Sequence, residues 1–376
     1  MVARQTTVLL CACTLVVAIG RPSFAGDEPQ YRFGDIVVPK ASADESIRER
    51  FSLPQAVQYL DHGALAWSGS RKCISCHTTG TYMLVRPALT AQAGPPPKEM
   101  RERYIAALKN LAAMKRDDLQ QLTRPGQVIY AAAGLAEWDA HVAKSLSPET
   151  KQALALMFEL QQKSGTWRTM DCWPPYESDA FHEATVAAIA VADAPGWLKN
   201  LQDSSLRAGV DRLKQYLRTA RPPHDYGRVL LLWASPRMPD LLTKDQQQTL
   251  VEMIERHQRD DGGWSIRTFA APEEWGRGNR AAKLRREPEF NHPTSDGHMT
   301  GMALLALREA GVPAADPRIQ RGVAWLLKNQ RVSGRWWTRS MNSDAKHYIT
   351  YSGTALPLLA LEACHALPIE AADTAH

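Results

Sequence analysis

The sequence lacks the marks of several common classes of protein. It holds no run of five like charges, and its formal net charge of +5 over 376 residues is mild. Binding to nucleic acid or to an anionic membrane surface depends on concentrated positive charge, so neither partner is expected. The sequence also contains no Walker motif, dinucleotide-binding glycine fingerprint, His-Glu-x-x-His pair or nucleophile elbow. No familiar catalytic motif therefore assigns an enzyme class.

Long apolar runs are missing too. The apolar stretch from Val8 to Ile19 is the candidate for a membrane-spanning helix, but it is well short of the roughly 20 residues that such a helix needs. It follows a positively charged start and precedes a Ser-Phe-Ala segment that ends at Ala25. This arrangement is typical of a cleaved secretory signal peptide. We predict that residues 1–25 are a signal peptide and that the mature protein is soluble, periplasmic or secreted, and without an integral membrane span.

Cysteine is scarce, and cleavage after Ala25 leaves only four of the six cysteines. Two of the four lie in the stretch CISCHTTG, as Cys73 and Cys76, and His77 follows them directly. This spacing lets two thiols reach the vinyl groups of haem while the imidazole lies under the iron. It predicts one covalent haem c at Cys73 and Cys76, with His77 as an iron ligand. A redox dithiol, half of a zinc site and a purely structural role are the alternatives.

The rest of the chain is helical in pattern, and strand-like alternation is nearly absent. Six almost wholly apolar helical segments begin near Cys76, Gly126, Phe181, Pro223, Gly297 and Ile349. A histidine column in this repeat contains His77, His182, His224 and His298, and a later glycine column contains Gly80, Gly227, Gly301 and Gly353. A more amphipathic helix precedes each apolar one. The pattern predicts about six helix pairs.

A helix that is apolar on nearly every side must be buried on every side. Alternation of fully apolar and amphipathic helices therefore indicates an inner ring of helices inside an outer ring, with an open helical solenoid as the alternative. We predict an all-α fold, an (α/α)6 toroid formed by residues 51–366. Residues 26–50 are predicted to form an N-terminal extension and residues 367–376 a disordered tail.

The turns between outer and inner helices share a second pattern. A Gln, then a Gly and then a Trp occur in the segments that end at Trp167, Trp264 and Trp336. A Trp buried there adds large apolar area, and its indole N–H can reach a carbonyl at a helix end. Together with the six pairs, these turns resemble the α/α toroid of the prenyltransferase and squalene–hopene cyclase superfamily. The resemblance is specific over about residues 244–365 and looser back to about residue 50.

This resemblance implies a central apolar cavity with a site at the mouth of the ring, where the inner helices begin. It does not extend to the catalytic motifs of the family. The cyclases protonate their substrate with an Asp-x-Asp-Asp cluster, of which the span PTSDGHMTG keeps only Asp296. The zinc ligands of the protein prenyltransferases, an Asp-x-Cys pair and a His, have no counterpart at Cys364, which has Glu362 two residues before it. Asp296 is therefore the candidate catalytic acid.

If a haem is present, its second axial position needs an occupant. The histidine column offers His182, His224 and His298, and His298 is the first choice because Asp296 and flexible backbone lie near it. An open sixth position is the alternative. An insertion between Trp264 and Asp296 also carries five cationic residues, Arg277, Arg280, Lys283, Arg285 and Arg286. We expect them to pair with haem propionates or an anionic substrate. The alternative is that they lie on a solvated loop.

These features lead to one predicted function and two alternatives. The prediction is an exported c-type haem protein with a redox role, either electron transfer to a partner protein or haem-assisted oxidation of an apolar small molecule in the cavity. The first alternative is a terpenoid-cyclase-like isomerase that uses Asp296 as its acid. The second is a non-catalytic toroid that binds a lipid or a protein.

Overall fold

The computed structural model describes residues 28–71, 73–171, 173–176 and 179–367. The predicted signal peptide, residues 1–25, lies outside the described residues. Residues 368–376 of the predicted tail also lie outside them. Twelve principal helices follow in chain order, with odd numbers outside and even numbers inside the ring: α1 (Leu53–Ser70), α2 (Thr81–Val85), α3 (Lys98–Ala112), α4 (Arg124–Trp138), α5 (Pro148–Glu159), α6 (Ala180–Asp193), α7 (Ser204–Thr219), α8 (Asp225–Ala234), α9 (Lys244–Arg256), α10 (Gly297–Glu309), α11 (Pro317–Asn329) and α12 (Ile349–Ala363).

Shorter elements connect or flank these helices. Further short helices are Thr90–Ala93, Arg116–Leu119, Ala281–Leu284 and Pro288–Asn291, and single helical turns are Cys76–Gly80, Pro87–Leu89, Asp139–Ala143, Ile266–Thr268 and Trp275–Gly278. Near the start of the described chain, β1 (Tyr31–Phe33) pairs antiparallel with β2 (Ile36–Val38), and this hairpin packs on α1. The sequence pattern missed the hairpin because three-residue strands are too short to show alternation.

The inner and outer helices differ in burial as their sequences predict. Every residue of α6 from Phe181 to Val191 is buried, whereas α7 buries only Gly209, Val210, Leu213 and Leu217. The apolar α6 therefore has neighbours on all sides, and the amphipathic α7 exposes its charged face to solvent. This difference explains why the two helix types occupy separate layers.

The helix pairs close into a ring. Each inner helix contacts the next inner helix, and the last one, α12, contacts both α10 and α2. In the outer layer, the side-chain amide of Gln330 after α11 accepts from the amide of Ser52 at 2.7 Å and donates to its carbonyl at 2.9 Å. Ser52 caps the start of α1, so these bonds join the sixth pair to the first. The prediction of an all-α toroid is confirmed.

The Gln–Gly–Trp turns form a repeated hydrogen-bonded unit, here called the clasp. In each clasp the indole N–H donates to the carbonyl ten residues earlier: Trp167 to Met157 at 2.7 Å, Trp264 to Ile254 at 2.8 Å, and Trp336 to Leu326 at 2.8 Å. All three Trp side chains are fully buried. Each indole therefore satisfies a carbonyl in the last turns of the preceding outer helix and fills the space beneath it.

The glutamine of each clasp links neighbouring pairs. Its side-chain amide donates to the carbonyl of the clasp glycine and to a carbonyl at the following outer helix: Gln161 to Gly165 and Gly209, Gln258 to Gly262 and Arg318, Gln330 to Gly334 and Ser52. The distances lie between 2.8 and 3.0 Å. Thus one side chain holds its own turn and the next pair at once.

No helix among the described residues combines the length and the apolar character that crossing a membrane requires. This finding agrees with the predicted absence of an integral membrane span.

Candidate active site

A cavity of about 430 Å³ opens at the mouth of the ring, where several inner helices begin. Its wall combines the end of α1, the segment before α2, the start of α4, the segment before α6 and the segment that leads into α12. The lining residues are Trp67, Cys73, Ile74, Ser75, Cys76, His77, Thr123, Gln127, Trp173, Pro174, Tyr176, Ser340, Asn342, Tyr348 and Ile349. This cavity lies at the mouth of the inner helices, where the family resemblance implied a site.

Aromatic and aliphatic side chains make up much of this wall. Trp67, Trp173, Tyr176 and Tyr348 contribute rings, and Ile74, Pro174 and Ile349 contribute aliphatic surface. Within the described residues no carboxylate lines the cavity. Such a lining favours a ligand with an apolar body, and the volume lies in the range of roughly 300–1,000 Å³ that small-molecule sites occupy.

A larger hollow of about 610 Å³ lies at the start of α8. Its wall carries His224 together with Arg221, Asp225, Arg228 and Glu274, so its chemistry is mainly charged. An apolar ligand would leave these groups poorly solvated, whereas the cavity at the mouth would not. The cavity at the mouth is therefore the better candidate for the predicted apolar ligand.

His77 is packed firmly into the wall of this cavity. Its ring stacks on Tyr348 with centroids 4.7 Å apart and planes 13° from parallel, and it meets Trp67 edge-on at 4.6 Å. Its Nδ1 lies 2.8 Å from Thr78 Oγ1. Burial lowers the pKa of His77 to about 3, so the imidazole is neutral at physiological pH. His77 thus contributes an uncharged aromatic surface.

The structure brings Cys73, Cys76 and His77 together at the cavity, as their spacing requires. Cys76 is buried and opens the π-helical turn Cys76–Gly80 that leads into α2. The hydroxyl of Thr81 donates to the Cys76 carbonyl at 2.7 Å, which holds this turn against the start of α2. The motif therefore also serves as the start of an inner helix.

Asp296 lies at the start of α10 and acts as its N-cap. Its Oδ1 accepts from the amide of Met299 at 2.9 Å, and its Oδ2 accepts from the amide of Ile266 at 2.8 Å. Burial raises the pKa of Asp296, whereas these two amides favour the charged form. Asp296 is buried and is not among the residues that line the cavity.

His298 is held from both sides by neighbouring inner helices. Its Nε2 lies 3.0 Å from the hydroxyl of Tyr226, and its Nδ1 lies 2.7 Å from Ser352 Oγ. Both ring nitrogens are therefore occupied by protein partners, and neither is presented to an iron at the cavity. Burial lowers the pKa of His298 to about 3. Sequence reasoning placed His298 at the mouth but did not identify these partners.

The other histidines of the column have similar structural partners. The Nε2 of His182 lies 3.1 Å from the hydroxyl of Tyr130 on the preceding inner helix, the same arrangement as in the His298–Tyr226 pair. His224 instead caps α8 by accepting from the amide of Gly227 at 3.1 Å, and its ring packs on Trp275. His182 and His298 therefore join consecutive inner helices, and His224 caps one.

The cations of the insertion largely pair with nearby carboxylates. Arg277 bonds Asp171 at 2.7 Å, Arg285 pairs with Glu273, and Lys283 pairs with Glu287 and Asp344. Arg280 bonds the side chain of Asn342, which lines the cavity. Trp275 from the same insertion is fully buried. These contacts tie the insertion to the ring beside the mouth.

Sequence reasoning missed the two residues that connect the cavity to His298. Tyr176 lines the cavity and its hydroxyl is hydrogen-bonded to Ser352 Oγ. The two residues are 176 positions apart, and neither belongs to the histidine or glycine column. The repeat pattern carries no signal for this pair, because Ser352 appears as a small residue at the start of an apolar helix.

Comparison with known proteins supports the resemblance to the toroid superfamily. Residues 225–366 match the family described as Squalene-hopene cyclase C-terminal domain. The matched region begins at the first residue of α8 and contains α9 to α12 and the insertion. A search of curated proteins finds no match.

Solved structures of a type II terpene cyclase show a loose similarity. Two variants of MstE from Scytonema in complex with geranylgeranyl dihydroxybenzoate, described as the substrate, share 13% and 14% sequence identity with a TM-score of 0.43 each. Each match covers 84% of this chain, and the two matches cover 100% and 99% of the respective MstE chains. The apo enzyme gives 14% identity, the same score, and coverage of 83% and 99%. With TM-scores below 0.5, these matches support no conclusion about function.

The predicted redox role as an exported c-type haem protein is wrong. The family match over residues 225–366 points to a cyclase-like domain and favours the terpenoid-cyclase-like alternative. The local structure also gives the motif another role, since Cys76 starts an inner helix and His77 packs between Trp67 and Tyr348. Haem c at Cys73 and Cys76 stays an untested prediction and forms no part of the function proposed below.

Proposed function

We propose that this protein is a terpenoid-cyclase-like isomerase that acts on an apolar polyprene held in the cavity at the mouth of the ring. The observation that carries the proposal is this cavity, lined by aromatic rings and free of carboxylates within the described residues. The match of residues 225–366 to the squalene-hopene cyclase C-terminal domain supports it. An apolar small molecule is accordingly the proposed partner, and export of the chain stays a prediction.

The wall of the cavity suits a reaction that passes through carbocations. The rings of Trp67, Trp173, Tyr176 and Tyr348 line the wall, and an aromatic face that meets a positive centre attracts it by about 0.5–2 kcal/mol. The neutral His77 adds no positive charge that would oppose it. A cation formed in this cavity is stabilised by the aromatic wall.

Isomerisation needs an acid at the start and a base at the end. The acid adds a proton to a carbon–carbon double bond, and the resulting cation later loses a different proton, so that substrate and product have the same composition. Asp296 remains the candidate acid, because burial raises its pKa and favours the protonated form. Because Asp296 does not line the cavity, the substrate must reach past the lining residues to meet it.

The test is incubation of the purified protein with geranylgeraniol or squalene, followed by mass-spectrometric detection of cyclic isomers. We expect products from the wild type and a loss of at least about 100-fold in Asp296→Asn, the scale on which general acids contribute. Asp203→Asn is the matched control, because Asp203 also caps a helix by accepting a backbone amide, but at the exposed start of α7. Thermal melts establish that each variant is folded.

Two outcomes would contradict parts of this proposal. Binding of polyprenes without any product would replace the isomerase by the non-catalytic lipid-binding toroid. Full activity in folded Asp296→Asn would retain the isomerase but remove Asp296 as its acid.

A further inference from the structure

A chain of hydrogen bonds leads from the cavity into the centre of the ring. It begins at Tyr176, which lines the cavity and whose hydroxyl is bonded to Ser352 Oγ. It continues from Ser352 Oγ to His298 Nδ1 at 2.7 Å, and from His298 Nε2 to the hydroxyl of Tyr226 at 3.0 Å. The four residues are buried, so water does not compete for these bonds.

Each member of the chain comes from a different part of the ring. Tyr176 lies in the segment before α6, Tyr226 is on α8, His298 is on α10 and Ser352 is on α12. The rings of Tyr176 and His298 also meet edge-on, with centroids 6.1 Å apart. Because three inner helices and one connecting segment fix the chain, its members keep their mutual positions when a ligand enters the cavity.

We propose that Tyr176, Ser352 and His298 form a relay that removes the proton ending the isomerisation, an inference that rests on the proposed function. Tyr176 is the catalytic residue because it contacts the substrate. Ser352 and His298 act through Tyr176 and are positioning residues that carry its proton away.

The proton transfers balance without another reactant. In the cation held in the cavity, a C–H bond next to the positive carbon breaks, and the two electrons of that bond form the new double bond. The proton goes to the phenol oxygen of Tyr176, whose own proton passes to Ser352 Oγ, and the hydroxyl proton of Ser352 passes to His298 Nδ1. The positive charge then rests on the His298 imidazolium. After the product leaves and water enters the cavity, the proton passes by the reverse route to that water.

The protonation states of the resting protein suit this direction. Burial lowers the pKa of His298 to about 3 and raises the pKa of Tyr176 well above its usual value. At neutral pH His298 is therefore uncharged and able to accept, and Tyr176 holds the proton that it passes on. A carbocation is a far stronger acid than either group, so a weakly basic imidazole suffices to receive its proton.

The relay demands one arrangement of hydrogens. His298 must carry its proton on Nε2, where it donates to the oxygen of Tyr226, and must accept from Ser352 at Nδ1. Ser352 Oγ also lies 3.0 Å from the carbonyl of Ile349. If the hydroxyl instead donates to that carbonyl and His298 donates from Nδ1, the relay is blocked.

The first experiment measures the products of geranylgeraniol or squalene in Ser352→Ala and Tyr176→Phe. We expect the alkene formed by proton loss to fall at least about tenfold relative to wild type, while the alcohol formed by water capture of the same cation rises. Ser235→Ala is the matched control, because Ser235 is also buried near one end of an inner helix, its hydroxyl donates to the carbonyl of Leu232 at 3.0 Å, and among the described residues it has no Tyr or His partner. Its product ratio should equal that of the wild type.

The second experiment reads the tautomer of His298 directly, by ¹⁵N resonances of histidine-labelled protein assigned with His298→Gln. We expect a neutral imidazole protonated at Nε2 in the wild type. A proton on Nδ1 overturns the relay whatever the products are. Tyr176→Phe should keep the Nε2 tautomer, since the Ser352 hydroxyl remains.

The outcomes separate the relay from the function on which it rests. Turnover with an unchanged product ratio in folded Ser352→Ala and Tyr176→Phe overturns the relay and leaves the isomerase standing. Absence of turnover in the wild type overturns both. An altered ratio in both variants, with Ser235→Ala unchanged and His298 protonated at Nε2, supports the relay.

Discussion

At the scale of single residues, the clasp glycines show how the sequence limits the backbone. Gly334 has φ of +89°, a conformation that side chains rarely adopt. A Cβ there would lie 2.4 Å from the carbonyl of Gln55 on the first outer helix. The sequence alone predicted the turn from the Gln, Gly and Trp, but the contact with a residue near the start of the ring depends on closure.

Replacement of Gly334 by Ala is expected to destabilise the fold strongly. Backbone strain alone costs about 1–3 kcal/mol, and the collision with backbone atoms of Gln55 adds at least about 2 kcal/mol more. Gly94→Ala is the control, because Gly94 also has a positive φ, but no atom of the described residues lies within 4 Å of its Cβ position. Urea unfolding of both variants measures the difference, and equal losses would show that the contact with Gln55 is unimportant.

At the scale of helices, the alternation of apolar and amphipathic segments was enough to predict the two layers and the six pairs. It could not predict how closely two helices approach. On α10, a Cβ at Gly301 would lie 2.5 Å from the backbone nitrogen of Pro357 on α12. This contact places Ser352 on α12 near His298 on α10, so the hydrogen bond between them follows from a backbone approach that no single helix reveals.

The link between the last and the first pair is expected to depend on Gln330. Its buried side chain accepts from the amide of Ser52 and donates to the carbonyls of Ser52 and Gly334. Gln330→Ala therefore removes these bonds from the Ser52 amide and the Gly334 carbonyl, at a cost of about 1–3 kcal/mol each. Gln258→Ala is the control inside the ring, since Gln258 forms two similar bonds at a partly exposed position.

Hydrogen exchange and urea unfolding distinguish the two glutamine variants. We expect Gln330→Ala to lose more stability than Gln258→Ala and to speed exchange in residues 48–56, where α11 and α1 meet. Equal losses of stability, with protection of residues 48–56 retained, would mean that ring closure does not depend on this side chain.

At the scale of the whole molecule, the cavity is where sequence reasoning stopped. The positions of Cys73, Cys76 and His77 at the mouth followed from the repeat, and the structure brings them there. Their local pattern led to the wrong redox prediction, because a short motif carries no information about its neighbours Trp67 and Tyr348. The remaining wall comes from segments spread over most of the chain, and only the closed ring assembles them.

Buried neutral histidines make the stability of the whole ring sensitive to acid. Burial lowers the pKa of His347 to about 4, and its Nδ1 accepts the amide of Ser340 at 3.1 Å, which requires the neutral form. The unfolded chain binds this proton near pH 6.5, well above the pKa in the folded state. The contribution of His347 to the free energy of unfolding is therefore complete above about pH 6.5 and is lost as the pH falls through 4.

Substitution of His347 by Asn isolates this contribution, because the Asn carbonyl can still accept the Ser340 amide. We expect the free energy of unfolding to fall less between pH 7 and pH 4.5 in His347→Asn than in the wild type. The reason is that the variant takes up as much as about one proton fewer when it unfolds. Urea unfolding at a series of pH values measures both. Parallel curves for the two proteins would rule out His347 as a source of the acid sensitivity.

The bonds between Gln330 and Ser52 have a consequence for how the protein comes apart. A linear array of repeats has two end units that fray first and need polar outer surfaces, so its melting is gradual. A circular array has no end unit, and removal of any pair exposes the flanks of two others. We therefore expect the six pairs to melt as one cooperative block, and a chain that stops before Ile349 to lose the whole assembly together with its cavity.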